Sequence, residues 1–241
     1  MKETKERIME EALALFAENG YLGTSMSDIA SRLGITKGAL YKHYAGKKEI
    51  LNRIVERMGE MDLSRAREYQ MPETNEPAET YLRAPAERVR EYTIAQFRHW
   101  TEDTFSSRFR RMLTLEQYRD PEMARLYQDY LAGGPVEYMA SVFSSAANSD
   151  AEARQLALEF YGPMFLLYSV YDGAADKRAA MQMLKDHVGR FMQNMEKKKM
   201  NAIVYTSNAG SAARYAEMLS SKMGIHAYSM KEARGKKPFR L

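Results

Sequence analysis

Between Asp28 and Glu49 the chain holds no acidic residue, yet Arg32, Lys37, Lys42, His43, Lys47 and Lys48 all fall in that stretch. A run of this kind suits contact with a polyanion, because lysine and arginine donate to phosphate oxygens and to base edges. Helical spacing puts Lys37, Gly38, Tyr41 and Lys42 on one side of a short helix. Thr36, Leu40 and Tyr44 fall on the other side and can pack inward. Glycine inside a helix costs about 1 kcal/mol against alanine. Close approach of the backbone to a duplex is a reason to keep Gly38 there. Lys47 and Lys48 open the next helix, at the positive end of its dipole. A phosphate nearby would suit both the dipole and the lysines.

The elements before this run must hold it in place. Ile8, Ala12, Leu15 and Phe16 recur at helical spacing, and Asn19-Gly20 tolerates the left-handed backbone of a helix stop. Ser25 and Asp28 form a capping pair for a second helix with an apolar stripe of Met26, Ile29, Ala30 and Leu33. Gly34 makes a tight turn, and the Thr36 hydroxyl caps the third helix. Two short helices joined by a tight turn, the second of them basic, are a means of entering a DNA major groove.

The series Thr24-Ser25-Met26-Ser27-Asp28-Ile29-Ala30, Leu33-Gly34-Ile35-Thr36-Lys37-Gly38-Ala39-Leu40-Tyr41-Lys42-His43-Tyr44 and Lys47-Lys48-Glu49-Ile50-Leu51 resembles the DNA-binding signature of the TetR family. Phe16, Gly20 and Tyr21 match its lead-in, so the resemblance spans about residues 5–55. It implies phosphate contacts from Thr24 or Ser25, Tyr41, His43 and Lys47. It implies base reading by Lys37, Gly38, Ala39 and Lys42, with Thr36 counted in the DNA-facing set. Lysine suits guanine O6 and N7, which predicts a guanine in each half-site. One such helix reads too little for useful specificity, so a homodimer on a palindromic operator is expected.

Residues from Lys47 to about Gln70 continue as one helix through Ile50, Leu51, Ile54, Val55, Met58 and Met61. Residues 71–85, with Pro72, Pro77 and Pro85, read as a loop. Helices are then expected at about 86–105, 107–118, 121–131, 136–146, 150–171 and 176–198, with no β-type alternation. The family resemblance implies a small-molecule pocket among them, expected near Trp100, Phe105, Tyr127 and Tyr168. It also implies that the last two helices meet their copies in a partner subunit. Phe160, Phe165, Met181, Leu184 and Val188 are the expected contacts. Gly162-Pro163 predicts a kink in the first of them.

After Lys199 the character changes. Ala202 to Tyr205 reads as a strand, Ala212 to about Met223 as an amphipathic helix, and Ile225 to Ser229 as a second strand. This β–loop–α–β order, with the loop Thr206 to Ala212, resembles the start of a flavodoxin. Ala209 and Ala212 stand at two of its hydroxyl positions, and 42 residues from residue 200 fall short of such a sheet. A truncated flavodoxin-like segment is the reading, and no cofactor is expected. A flavin-binding redox protein or redox-sensing regulator is the alternative function.

The domains read as 1–46, a DNA-binding unit with its motif at 25–44; 47–199, a helical effector and dimerisation domain; and 200–241, the appendage. The fold class is all-α with a short β-α-β addition. The 241 residues include no cysteine, which excludes disulfides, thiolate metal sites and cysteine nucleophiles. Neither His99 nor His187 has metal-ligand spacing, no nucleophile–base pair stands out, and no catalytic or metal site is expected. No stretch approaches the roughly 20 apolar residues of a membrane span. A cytoplasmic, ligand-responsive repressor is the expected function.

Overall fold

Ile8, Met9, Leu13 and Phe16 are closed off from solvent on one side of α1 (Lys2–Asn19). The structure, a computed structural model, describes residues 2–71, 84–144, 146–200, 202–205, 211–223 and 226–229. The stripe of α1 packs on α2 (Met26–Leu33), on α4 (Lys47–Glu68) and on α6 (Thr104–Glu116). Between α2 and α4 lies the short α3 (Lys37–Tyr41), whose Leu40 is fully buried. Both expected caps form. Ser25 and Asp28 make a reciprocal capping box on α2, and the Thr36 hydroxyl accepts from the Ala39 amide on α3. Gly34 takes the left-handed backbone, φ 67°, that ends α2.

The remaining helices are α5 (Ala86–Glu102), α7 (Pro121–Leu131), α8 (Gly133–Phe143), α9 (Asp150–Gly173) and α10 (Lys177–Met200). Several boundaries differ from expectation. The break expected at about 106 falls at Asp103, whose carboxylate accepts from the Ser106 amide and starts α6 three residues early. Gly133-Gly134-Pro135 is the first turn of α8 and not a spacer before it, since proline is tolerated where amides lack helical partners. The last two helices also run two residues further than expected, and α9 is unbroken through Pro163. Most of the expected loop at 71–85 lies outside the described residues.

Residues 1–188 form one compact unit and residues 189–241 a second. The division does not fall at 46/47, because α1 is packed along α6 as well as α4. α6 is the central helix of the first unit: Phe109, Met112, Leu113 and Glu116 are fully buried along it. In the second unit β1 (Ala202–Tyr205) pairs in parallel with β2 (His226–Ser229), Ala202 opposite His226 and Tyr205 opposite Ser229. α11 (Ser211–Met223) packs on both strands. The loop 206–210, on which the flavodoxin resemblance rests, lies outside the described residues, as do residues 230–241.

Candidate nucleic-acid interface and ligand cavity

The structure sorts the cations of the acid-free run into two groups. Arg32 donates to Glu18 at 2.6 Å and lies 3.9 Å from Glu11. Lys48 is paired with Glu122 of α7. The half-buried Lys47 ammonium donates to the carbonyls of Tyr21 at 2.5 Å and Thr24 at 2.7 Å, and sits 4.3 Å from the Tyr21 ring centre. Burial lowers its pKa, against the pull of Glu116, Asp120 and Asp28. Lys37 and Lys42 are exposed, and no ion pair of either is found among the described residues.

Those two lysines share one face of the α3 region with Gly38 and with Tyr41, which is 47% exposed. A side chain added at Gly38 would meet no protein atom within 4 Å. Ala39 and His43 are half-buried beside this face, and Thr36 is exposed at its start. Beneath it, Tyr44 is buried and its hydroxyl donates to the Lys5 carbonyl at 3.1 Å, which ties the end of α3 back to α1. Thr24 does not share the face. It is buried, and its hydroxyl donates to the Gly20 carbonyl at 2.9 Å. Ser25, next to it, is exposed. Of the pair Thr24 or Ser25, only Ser25 presents an exposed side chain.

The inward turn of Lys47 carries a prediction. Hydrogen bonds from a charged donor contribute about 1.5–3 kcal/mol each. Lys47→Met, which keeps the stem and removes the donors, should therefore destabilise the unit of residues 1–188 by about 3 kcal/mol, the lower end for two such bonds because the ammonium is only half-buried. Thermal unfolding without DNA checks this. An unchanged melting temperature would mean that the two carbonyl contacts add nothing.

A cavity of about 500 Å³ lies among α4, α5, α7, α8 and α9. Asp62, Leu63 and Ala66 of α4 form one wall, and Tyr92, Gln96 and Trp100 of α5 form the next. Asp129, Tyr130 and Tyr138 come from α7 and α8, and Phe160, Tyr161, Met164 and Tyr168 from α9. Burial raises the Tyr92, Tyr130, Tyr161 and Tyr168 hydroxyls above their ordinary pKa, so they stay protonated donors. Burial also pushes the Asp62 carboxyl up to about 6, despite Arg65 beside it at 3.3 Å.

Behind Asp62 runs a polar chain. The Arg65 guanidinium donates to Gln96 at 2.6 Å and contacts His99 Nδ1. Burial and Arg65 together hold His99 down to about 4, so its ring is neutral near pH 7. Its Nδ1 must then accept from Arg65, and its Nε2 donates to the Ser106 hydroxyl at 2.8 Å. The hydroxyl passes on a 2.8 Å hydrogen bond to Asp103.

A second contact leaves the cavity toward α1. Arg110 is buried on α6, and its Nε donates to the Trp100 carbonyl at 3.0 Å. Its Nη2 reaches both Asp172 oxygens, at 2.8 and 2.9 Å, and the guanidinium lies 5.2 Å from the Tyr168 ring centre. Two walls of the cavity are thus tied to α6. At its far end α6 carries Glu116, fully buried against Gly20 at the end of α1. Gly20 has φ 83°, and a Cβ there would stand 1.9 Å from Glu116 Oε1, so a side chain there would strain the backbone and force Glu116 to shift.

Known proteins resemble this chain in its first helices and in its fold. Residues 8–54 match the family model for bacterial regulatory proteins of the tetR family. The HTH-type transcriptional regulator AcrR of Shigella flexneri is 34% identical over 101 residues, 40% of this chain and 45% of that protein. IcaR of Staphylococcus epidermidis, a negative transcriptional regulator of the biofilm operon icaADBC, is 44% identical over 52 residues, 22% of this chain and 28% of that one. In overall fold the chain is similar to SmeT in its triclosan complex, with a TM-score of 0.53 at 21% identity, covering 78% of this chain and 91% of that one. The family match thus covers the helix-turn-helix end of the chain, residues 8–54. The matches to these two curated relatives span less than half of each relative's length. Both relatives are transcriptional regulators by name.

The expected pocket residues divide. Trp100 and Tyr168 line the cavity. Tyr127 lines a neighbouring groove with Arg111, Phe165 and Asp172, and shares only Tyr168 with it. Phe105 does not line the cavity: it is buried on α6 with the Arg57 guanidinium of α4 4.4 Å from its ring centre. The expected dimer contacts divide too. Phe160, Met181, Leu184 and Val188 are buried inside the subunit's own core, so they cannot form an outer face. Phe165 alone of the five is exposed, at 39%. The exposed apolar residues nearby are Leu158, Leu166 and Val170 on α9 and Met183 on α10.

Asp62, Arg110 and Glu116 were missed as site residues, although the sequence marks them. Asp62 falls between Met58 and Ala66 at four-residue intervals, on the buried stripe of α4. Glu116 continues the stripe of Phe109, Met112 and Leu113, and Arg110 stands beside Phe109 on the buried side of α6. A charged residue on an apolar stripe is the signal.

Proposed function

We propose that this chain is a repressor that binds a palindromic operator in double-stranded DNA as a homodimer and is released by a small-molecule effector. The observation that carries the reading is the exposed basic face of Lys37, Gly38, Tyr41 and Lys42 on a short helix that packs on α2 and is tied to α1 through Tyr44. In this reading Lys37, Gly38, Ala39 and Lys42 face base edges. Ser25, Thr36, Tyr41 and His43 face phosphates, and Lys47 holds the turn that positions Ser25.

The effector site is the cavity beside Trp100 and Tyr168. SmeT, of similar fold, is described as a triclosan complex, which supports a small-molecule site in this class of fold. IcaR is named a negative regulator, which supports repression. Dimer contact falls to the exposed apolar residues Leu158, Phe165, Leu166 and Val170 of α9 and Met183 of α10. Occupancy of the cavity acts on DNA through Arg110 and α6. A shift of α6 moves α1 through Glu116 and Gly20 and changes the spacing of the two reading helices. Release then follows from the effector's different affinity for the two spacings.

Fluorescence anisotropy on the DNA upstream of the protein's own gene tests the reading. A saturable, sequence-specific complex at moderate salt is expected, with affinity that falls steeply as salt rises. A folded dimer that forms no such complex would contradict it. The flavin alternative has no observation behind it. Its loop lies outside the described residues, and the similar proteins reported above are DNA-binding regulators by name or family.

A further inference from the structure

Seven aromatic rings and two carboxylates, but no lysine, arginine or histidine, line the cavity among the described residues. A cation in such a place gains from the negative faces of the rings and from the carboxylates together. An anion would meet Asp62 and Asp129 with no basic partner on the wall. A neutral molecule would leave the burial of Asp62 as it stands. We propose that the effector is an aromatic or amphipathic organic cation, its positive centre held near Asp62 among the rings of Tyr92, Trp100 and Tyr130. This rests on the reading of the cavity as the effector site.

Arg65 does not already fill that role. Its guanidinium is shared with Gln96 and His99, and it is drawn toward Asp103 and Glu68 as well as Asp62. The carboxyl of Asp62 keeps a pKa of about 6 with Arg65 in place, so its burial is only partly offset. The other groups around it add no positive charge. His99, 3.9 Å away, is neutral near pH 7, the Gln96 amide is uncharged, and Tyr92, Tyr130 and Tyr168 are protonated. Asp129 of α7 adds a second negative group on the far wall.

The protein has one tryptophan, and it stands on the cavity wall, so its fluorescence reports occupancy directly. Benzyltrimethylammonium and its uncharged isostere neopentylbenzene differ in charge and hardly in shape. The cation should quench Trp100 saturably and bind at least about tenfold more tightly than the isostere. Asp62→Asn and Asp129→Asn should each weaken the cation severalfold and leave the isostere unchanged. In the unmodified protein cation affinity should fall as pH drops through about 6, because Asp62 takes up its proton there. In Asp62→Asn that dependence should vanish. Should Asp62→Asn fail to fold, Asp129→Asn and the pH series in the unmodified protein decide the matter. Equal or tighter binding of the isostere, or no saturable quench by the cation, would overturn the proposal. DNA binding measured on the same sample separates the two readings: intact DNA binding without cation preference refutes this inference alone.

Discussion

Gly38→Ala is expected to leave the fold intact and to weaken operator binding at least about thirtyfold. The two effects separate because of where Gly38 stands. Its backbone is not among those with positive φ, and a methyl group there meets no protein atom within 4 Å. Alanine should even stabilise α3, by up to about 1 kcal/mol. Against DNA the same methyl group stands between the helix backbone and the base edges. Each good base contact is worth about 1–3 kcal/mol, and a dimer loses it twice. Anisotropy titration beside thermal unfolding checks both halves. Unchanged affinity in a variant of unchanged stability would mean that this face of α3 does not approach the duplex closely.

Arg110→Met should have the largest effect on stability of any change around the cavity. The side chain is buried, grips Asp172 with one nitrogen across both oxygens, and donates to the backbone at Trp100. Removing one member of a buried charge pair costs about 3–5 kcal/mol. Asp172 is partly exposed and has Arg111 at 3.9 Å, which places the cost near the lower end. A loss of about 3 kcal/mol lowers the melting temperature by about 6–12 °C in a domain of this size. Asp172→Asn, which keeps the hydrogen-bond acceptor, should cost much less. Below its melting temperature Arg110→Met should still bind DNA but respond weakly to an effector, since the tie from Trp100 and Tyr168 to α6 is gone. A normal effector response would route the coupling through another helix.

The local signals were legible because short-range chemistry decides them. Ser25 with Asp28, Gly34, and Thr36 with the Ala39 amide act within one turn, and these caps and the turn form where sequence places them. The basic face of α3 follows from helical spacing alone. Tertiary partners were not legible. Arg32, Lys47 and Lys48 have the same character in sequence as Lys37 and Lys42, yet each is held by a group distant in the chain or by a loop carbonyl. Apolar faces on α9 and α10 told of burial but not of what buries them. Phe160, Leu184 and Val188 turn inward, and the less regular Leu158, Leu166 and Val170 remain outside. Phe105 and Trp100 are alike in composition and near in sequence. They part because Asp103 starts a new helix between them and turns Phe105 toward Arg57.

Selection of duplexes from a random library, by the unmodified protein and by the Lys37→Ala/Lys42→Ala double variant, tests the central claim most directly. The unmodified protein should enrich a two-fold symmetric sequence with a guanine in each half-site. The double variant, folded to the same melting temperature, should enrich none. A folded unmodified protein that selects no sequence, or a double variant that selects the same one, would contradict the assignment of DNA reading to the exposed face of α3.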